Sequence, residues 1–495
     1  MDGPAAIPPA GRDDHNLNPW IQKVVLSLGS EEDGGGIRGY WSLLVLDELM
    51  QSIKREELAR DEPARSSFHP CEEPLNISRV SPTPATPFLP CHYLITILLS
   101  RFRMTVDDCL DECKRMAGSV FGHHNLIYSL KFGIGGNKFR RDPLERAIKE
   151  VIERREERRT EDHSGFLFRT EIDTCRGIVL ATRINDSRFA RSSFLFRSYT
   201  PFSEKSRQHS TWQVDEPQNH LEGSKIVLIK AALAATAAPL YFGSYRCTLS
   251  ATQIQAAKRV PTRHGTTIFS SSSVDAEPAD KKFEYEFEDA GFSLVNNPCA
   301  ELEREIKHHH GQEISPILVS IGTARPQPRD QRNYLARVTR RAFAGVGDPE
   351  PVHDQMRQRS PAAGNCYFRF NDEQGIAIEM DDWKPKDTGE RTLQDMQNKF
   401  LAWVHAPEVR EKFTTCARTL VDLRRARMTT PRWERFALVR YFECKVNWCP
   451  KDRDNRWLDR ADFRNHLDRE HKPTDYEGSI DEAVESYAHE WEYRT

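Results

Sequence analysis

Four residues near the carboxy end have the types and spacing of a metal-ligand set. Cys444, Cys449, His466 and His471 stand in the order Cys-x4-Cys-x16-His-x4-His. Two thiolates with two imidazoles favour zinc, and the spacing is close to a ββα zinc finger with a lengthened central loop. Trp457 and Phe463 take two core positions of such a unit, with His466 on the same helix as Phe463. The bland reading is two surface cysteines and two helix histidines; the paired aromatics pull against it. His308-His309-His310 is a different case, because three adjacent residues point to different faces and read as a solvated helix end.

A second stretch has the residues for anion stabilisation. Val24-Val25-Leu26 leads into Asp33-Gly34-Gly35-Gly36-Ile37-Arg38-Gly39, and a helical pattern through Trp41, Leu44, Val45 and Leu49 leads out. Consecutive glycines allow a tight backbone with free N–H groups at a helix N-terminus, suited to a phosphate or a transient oxyanion. Three readings compete: a plain strand–helix connection, a dinucleotide site and an oxyanion hole. The dinucleotide reading wants a βαβ unit with an acidic residue closing the next strand, and a Pro/Ser-rich insert follows instead.

The elements that must hold these residues alternate. Strands are expected near 22–28, 177–182, 193–199 and 317–321, with the last ending at Gly322. Helices are expected to about Arg60, over Thr105–Gly118, Asp142–Arg159, Ile229–Ala238 before Pro239, about Ala300–His309, and within 391–428. Tyr93–Leu99 is apolar throughout, and periodicity leaves strand or buried helix open. Strands alternating with helices imply an α/β sheet covered on both faces. The sheet-forming pattern runs out near Arg325.

At 495 residues, with 38% hydrophobic and 29% charged, the chain has room for two to four domains rich in loops and charged helices. A net charge of −3 gives no global pull toward nucleic acid or anionic membrane. No run approaches the ~18 apolar residues of a spanning helix. Eleven scattered cysteines and a start without a basic or apolar leader imply reduced thiols and a cytoplasmic protein, peripheral on membranes at most.

Taken together, the motifs resemble the patatin-like phospholipases, a family of lipid acyl hydrolases with a Ser–Asp dyad. The resemblance covers roughly 22–325. It rests on Asp33–Gly39 as the oxyanion turn and on Asp289-Ala290-Gly291 followed by Asn296-Asn297-Pro298. Phe196–Tyr199, Ala234–Pro239 and Val319–Thr323 support it in the family's order. The resemblance implies a three-layer sandwich and ester hydrolysis in phospholipids or acylglycerols, with no catalytic cofactor. It implies Asp289 as proton acceptor, Gly34, Gly35 and Gly36 as oxyanion turn, and Arg38 as support of the turn or contact for a head group.

The nucleophile departs from that pattern. No G-x-S-x-G occurs in the chain. Pro90-Cys91-His92-Tyr93 resembles the run into the elbow and Leu94–Leu99 the helix beyond it, with nothing between. Ser27, Ser100 and Ser293 lack elbow context. Gly29-Ser30-Glu31-Glu32 also inserts four residues before Asp33.

The expected organisation is a disordered leader (1–19), a patatin-like domain (20–330) with inserts at 60–90 and 250–282, and a linker (331–390). A helical extension (391–430), a zinc-finger-like module (438–475) and an acidic tail (476–495) follow. A single finger reads only about three base pairs. Its arginines are offset by aspartates, so a structural or protein-contact role is favoured for the module and nucleic acid is not. Contact with a membrane or lipid droplet would be peripheral. The alternative to a hydrolase is a non-catalytic lipid-binding or scaffold protein on the same fold.

Overall fold

A computed structural model describes residues 19–29, 36–60, 81–83, 91–122, 137, 139–156, 166–170, 175–184, 191–199, 226–239, 241–250, 282–290, 297–310, 314, 316–327, 349–362, 366–379, 381–428, 430, 433, 440–446, 449, 456–457 and 459–489. In chain order these give β1 (Lys23–Leu28), a 3-10 turn (Gly36–Arg38), α1 (Gly39–Leu58), β2 (Ser81–Thr83), α2 (Cys91–Ser100), α3 (Val106–Phe121) and α4 (Arg141–Glu156). Next come β3 (Gly177–Ile184), β4 (Arg191–Arg197), α5 (Leu228–Ala235), β5 (Tyr245–Ser250), β6 (Lys282–Asp289), α6 (Cys299–His310) and β7 (Pro316–Ile321). The last part carries α7 (Glu350–Ala362), β8 (Cys366–Phe370), α8 (Glu390–Val404), α9 (Pro407–Met428), β9 (Tyr441–Glu443), β10 (Arg456–Trp457), α10 (Arg460–Glu470), α11 (Ile480–Ser486) and β11 (Ala488–His489).

The fold is mixed α/β. Strands β1, β7 and β8 pair in parallel, Val25 opposite Leu318 and Val319 opposite Phe368. Every residue of β1 and β7 is buried, as a parallel sheet covered on both faces requires. One face, through Val24, Leu26 and Val319, packs in a core with α1, α2 and α9. The other, through Val25 and Leu318, meets Leu302 and Ile306 of α6 and Met356 of α7.

A second set of strands centres on β3. Along one edge of β3 runs β4, antiparallel from Ile178–Arg197 to Ile184–Arg191. The opposite edge is shared: β2 takes Gly177–Val179 in parallel and β6 takes Ala181–Ile184 antiparallel. β2 also lies against β1, joining the two sets.

Several placements differ from the sequence reading. Tyr93–Leu99 is helical, within the ten-residue α2, because an apolar run packed against α1, α3 and β3 can satisfy its backbone within a helix. Ser81–Thr83, inside the Pro/Ser-rich insert, forms β2; a three-residue parallel pairing needs few N–H donors, so Pro82 is tolerated. The stretch 331–390 is no mere linker: it supplies α7 and β8, so the sheet continues past Arg325. Its Pro/Gly-rich average hides Cys366-Tyr-Phe-Arg-Phe, five residues with strong strand preference. Helix α4 begins at Arg141, ahead of the expected cap at Asp142.

The helices at 391–428 are likewise part of the main body. Helix α9 lies along α1, where Arg424 Nη1 donates to Glu57 Oε1 at 2.5 Å and Arg425 Nε to Oε2 at 3.2 Å. Arg427 donates to the carbonyls of Gln22 and Pro19 at 2.5 and 3.3 Å, and its guanidinium stands 4.8 Å from the Trp20 ring centroid. Residues 1–18 of the expected leader 1–19 and most of the insertion at 250–282 lie outside the described residues.

Candidate functional sites

The metal-ligand group is assembled by a small three-stranded sheet, β10-β9-β11, and helix α10. Asp459 caps α10, accepting from Ala461 N at 2.8 Å and Asp462 N at 3.2 Å. Phe463 and His466 then face inward. Phe442 stacks on Phe463 at 5.4 Å between centroids, and Trp457 on His466 at 4.2 Å, which holds that imidazole in place. His471 is the C-cap of α10, with extended backbone (φ −130°, ψ 151°). Leaving the helix there is how a five-residue His spacing brings both rings to one point.

Cys444, Cys449, His466 and His471 converge so that their ligand atoms all lie within 4.8 Å of one another, a group that can hold a metal ion. Cys444 Sγ is 3.3 Å from His471 Nε2, Cys449 Sγ is 3.5 Å from His466 Nε2, and the two Nε2 atoms are 3.2 Å apart. Burial, with Cys449 alongside, pushes the Cys444 thiol up to about 11. A cation would reverse that by stabilising the thiolate.

The expected acidic tail, 476–495, belongs to this unit as far as His489. Helix α11 has a Ser479/Glu482 capping box, and its Ala483 and Val484 complete a core with Phe442, Phe463 and Leu467. Strand β11 adds to β9, Ala488 opposite Phe442. The module thus runs past the expected end at 475. The signal was present in Ser479-x-x-Glu482, a capping pattern that an acidic average conceals.

At the other candidate site the structure places the residues as follows. Gly36 and Arg38 form the buried 3-10 turn after β1, and Gly39 opens α1. Gly36 has φ 49°, a conformation that favours glycine. Asp289 is the last residue of β6, fully buried, followed by buried Ala290. Asp33, Gly34, Gly35, Gly291 and Asn296 lie outside the described residues. Asn297, buried at the turn before α6, accepts from Cys299 N at 3.4 Å.

Asp289 stands at a fork. Thr83, which ends β2, pairs with Val179, and Asp289 pairs with Ala181 two residues along the same edge of β3. The carboxyl ends of β2 and β6 therefore converge, separated by about 7 Å of strand. The Asp289 N–H donates to Ala237 O at 2.9 Å, fixing the aspartate to the turn that follows α5.

A further network was missed by sequence reasoning. Arg197 grips Glu305 of α6 in a bidentate pair at 2.7 and 2.8 Å, and Tyr199 donates to the same carboxylate at 2.8 Å. All three are buried. Burial beside that carboxylate raises the Tyr199 phenol above its usual range. Nothing in the sequence separates Glu305 from the other charges beside it on α6, such as exposed Arg304. Ser320, in β7, accepts from Arg369 Nη1 at 2.9 Å.

These features define a mixed α/β protein with an appended module able to bind a metal ion. Compared with models of known protein families and with curated proteins, the chain matches none. No described helix is long and apolar enough to cross a membrane.

Proposed function

We propose that the α/β body is a patatin-type lipid acyl hydrolase scaffold for ester-linked acyl chains of phospholipids or acylglycerols. The observation that carries this reading is the fork, with Asp289 at the end of β6 facing the end of β2. A nucleophile elbow needs a strand that opens into a turn ahead of a helix. Here β2 precedes α2, the order such an elbow needs, and the nearness of Asp289 to the end of β2 supports reading it as the base for an elbow hydroxyl. In that chemistry the hydroxyl attacks the ester carbonyl as Asp289 takes its proton. Backbone N–H groups of the Gly34–Gly36 turn hold the oxyanion until the alcohol leaves, and water then releases the acid.

The absent G-x-S-x-G favours a second reading, in which the same scaffold binds lipid esters without cleaving them. Losing the nucleophile of a serine hydrolase lowers turnover by about 10⁶-fold. A fluorophosphonate probe on the purified full chain separates the two. Labelling abolished by Asp289→Asn supports the hydrolase. No labelling, with saturable binding to phosphatidylcholine vesicles, supports the lipid-binding protein. Neither labelling nor binding removes both.

Zinc is the ion we assign to the Cys444, Cys449, His466 and His471 group, in a structural role. Tetrahedral zinc with Zn–S of about 2.3 Å and Zn–N of about 2.05 Å separates S from N by about 3.5 Å and N from N by about 3.3 Å. The observed 3.3, 3.5 and 3.2 Å fit. The base-reading positions of a finger helix, −1, 3 and 6, fall on Asp459, Asp462 and Asn465 when Arg460 is position 1. Two carboxylates there oppose DNA. Arg460 and Arg464 are engaged by Glu485 at 2.7 Å and Asp481 at 2.9 Å. Contact with a protein partner is the better fit. Cys175, Cys247, Cys299, Cys366 and Cys416 are free thiols, which supports a reducing, cytoplasmic setting.

A further inference from the structure

We propose that the cleft between α3, α4 and the 381–389 segment binds a small oxyanion of the phosphate or phosphomonoester class. The cleft has a volume of about 520 Å³, within the ~300–1,000 Å³ of ligand pockets. It shares no residue with the Asp289 fork or the metal-ligand group.

The inference starts at Glu112, a carboxylate only 1% exposed. Arg115 Nη1 donates to its Oε1 at 3.0 Å and Arg154 Nη2 to its Oε2 at 2.8 Å, so one buried anion fixes two guanidinium groups side by side. A third, Arg155, stands 3.9 Å from Oε1 and shares Asp108 at 3.5 Å. Each guanidinium has five N–H donors, and Arg115 and Arg154 use one apiece on Glu112. Both residues line the cleft, and Lys114 adds a third cation to the same wall.

The 381–389 segment adds Trp383 to the lining, with its indole N–H buried away from the open space. Spare donors on Arg115 and Arg154 suit one ligand with several acceptor oxygens and negative charge, and a tetrahedral oxyanion is such a ligand. Glu150 and Asp387 also line the cleft and oppose an anion. Glu150 lies 4.0 Å from Arg154 and is 52% exposed, so solvent screens it. These two acids weaken the site and give its test a direction.

Isothermal titration of the full chain with inorganic phosphate at low ionic strength tests the proposal. Saturable binding is expected, weakened about tenfold in Arg115→Gln, which loses a charge-assisted contact. The double variant Glu150→Gln/Asp387→Asn leaves the Glu112 fork intact and is expected to bind several-fold more tightly. No saturable binding by the wild type would overturn the proposal. So would a double variant that binds no more tightly, or a folded Arg115→Gln chain that binds as well as the wild type.

Discussion

Thr83 and Asp289 end their strands on the same edge of β3, one opposite Val179 and the other opposite Ala181. Two strand ends that run toward each other leave a gap in the sheet, and that gap is where a catalytic turn could stand. Rebuilding a Gly-x-Ser-x-Gly turn between Thr83 and α2 is expected to create fluorophosphonate labelling. Asp289→Asn in that background should slow labelling by about 10²–10⁴-fold, the usual contribution of a general base. Labelling indifferent to Asp289 would separate the aspartate from the chemistry.

The metal-ligand group makes the module's folding depend on an ion. Cys444→Ser, or chelation, is expected to melt residues 440–489 while the α/β body stays folded, because apparent zinc-binding energies of ~10–16 kcal/mol double as folding energy. Trp457, stacked on His466, should report the change in fluorescence. Since Cys444 starts from about 11, binding must displace protons, so apparent affinity should fall as pH is lowered from 8 to 6. Metal analysis of the purified chain with a pH series checks both points.

Glu57 and Arg424 form a buried pair, side chains 1% and 2% exposed, between α1 and α9. Glu57→Gln is expected to cost about 3–5 kcal/mol, because the guanidinium loses its charge partner in the interior. Replacing Glu57 and Arg424 together by apolar residues of similar size should cost far less. Urea denaturation of the wild type and the two variants measures the difference.

His353 makes the stability of the α7–β8 contact pH-dependent. Its Nδ1 lies 3.0 Å from Tyr367 Oη, and burial, aided by the nearby Arg369 charge, holds its pKa below the ordinary 6.5. The unfolded chain therefore takes up the proton first as pH falls. The contribution of neutral His353 is present above about 6.5 and is lost progressively below it. Between pH 7 and 5, His353→Gln should lose less stability than the wild type in urea midpoints taken at each pH.

Much of this was legible in the sequence because local pattern and tertiary outcome agree. β1, β7, the Thr105 cap of α3 and the four metal ligands all announce themselves within a few residues of chain. What was hidden depends on partners distant in sequence. Ser81–Thr83 is a strand only because β3 offers an edge, and the apolar run in α2 is helical with every residue of Leu94–Ser100 buried. Cys366–Phe370 sits in a segment whose average composition reads as linker, yet β7 needs a neighbour on its outer edge. Glu305 and Glu57 look like surface charges until Arg197 and Arg424 arrive. A buried ion pair between remote elements leaves no local trace.

The grip of Arg427 on the carbonyls of Gln22 and Pro19 spans 405 and 408 positions of chain. During synthesis, β1 leaves the ribosome long before that arginine exists. The face of β1 and β7 shared by α1, α2 and α9 must then wait for the last part of its cover until α9 is made. A polypeptide stopped before α9 would present the uncovered part of that face to chaperones and proteases. The amino-terminal end of the body is thus completed last.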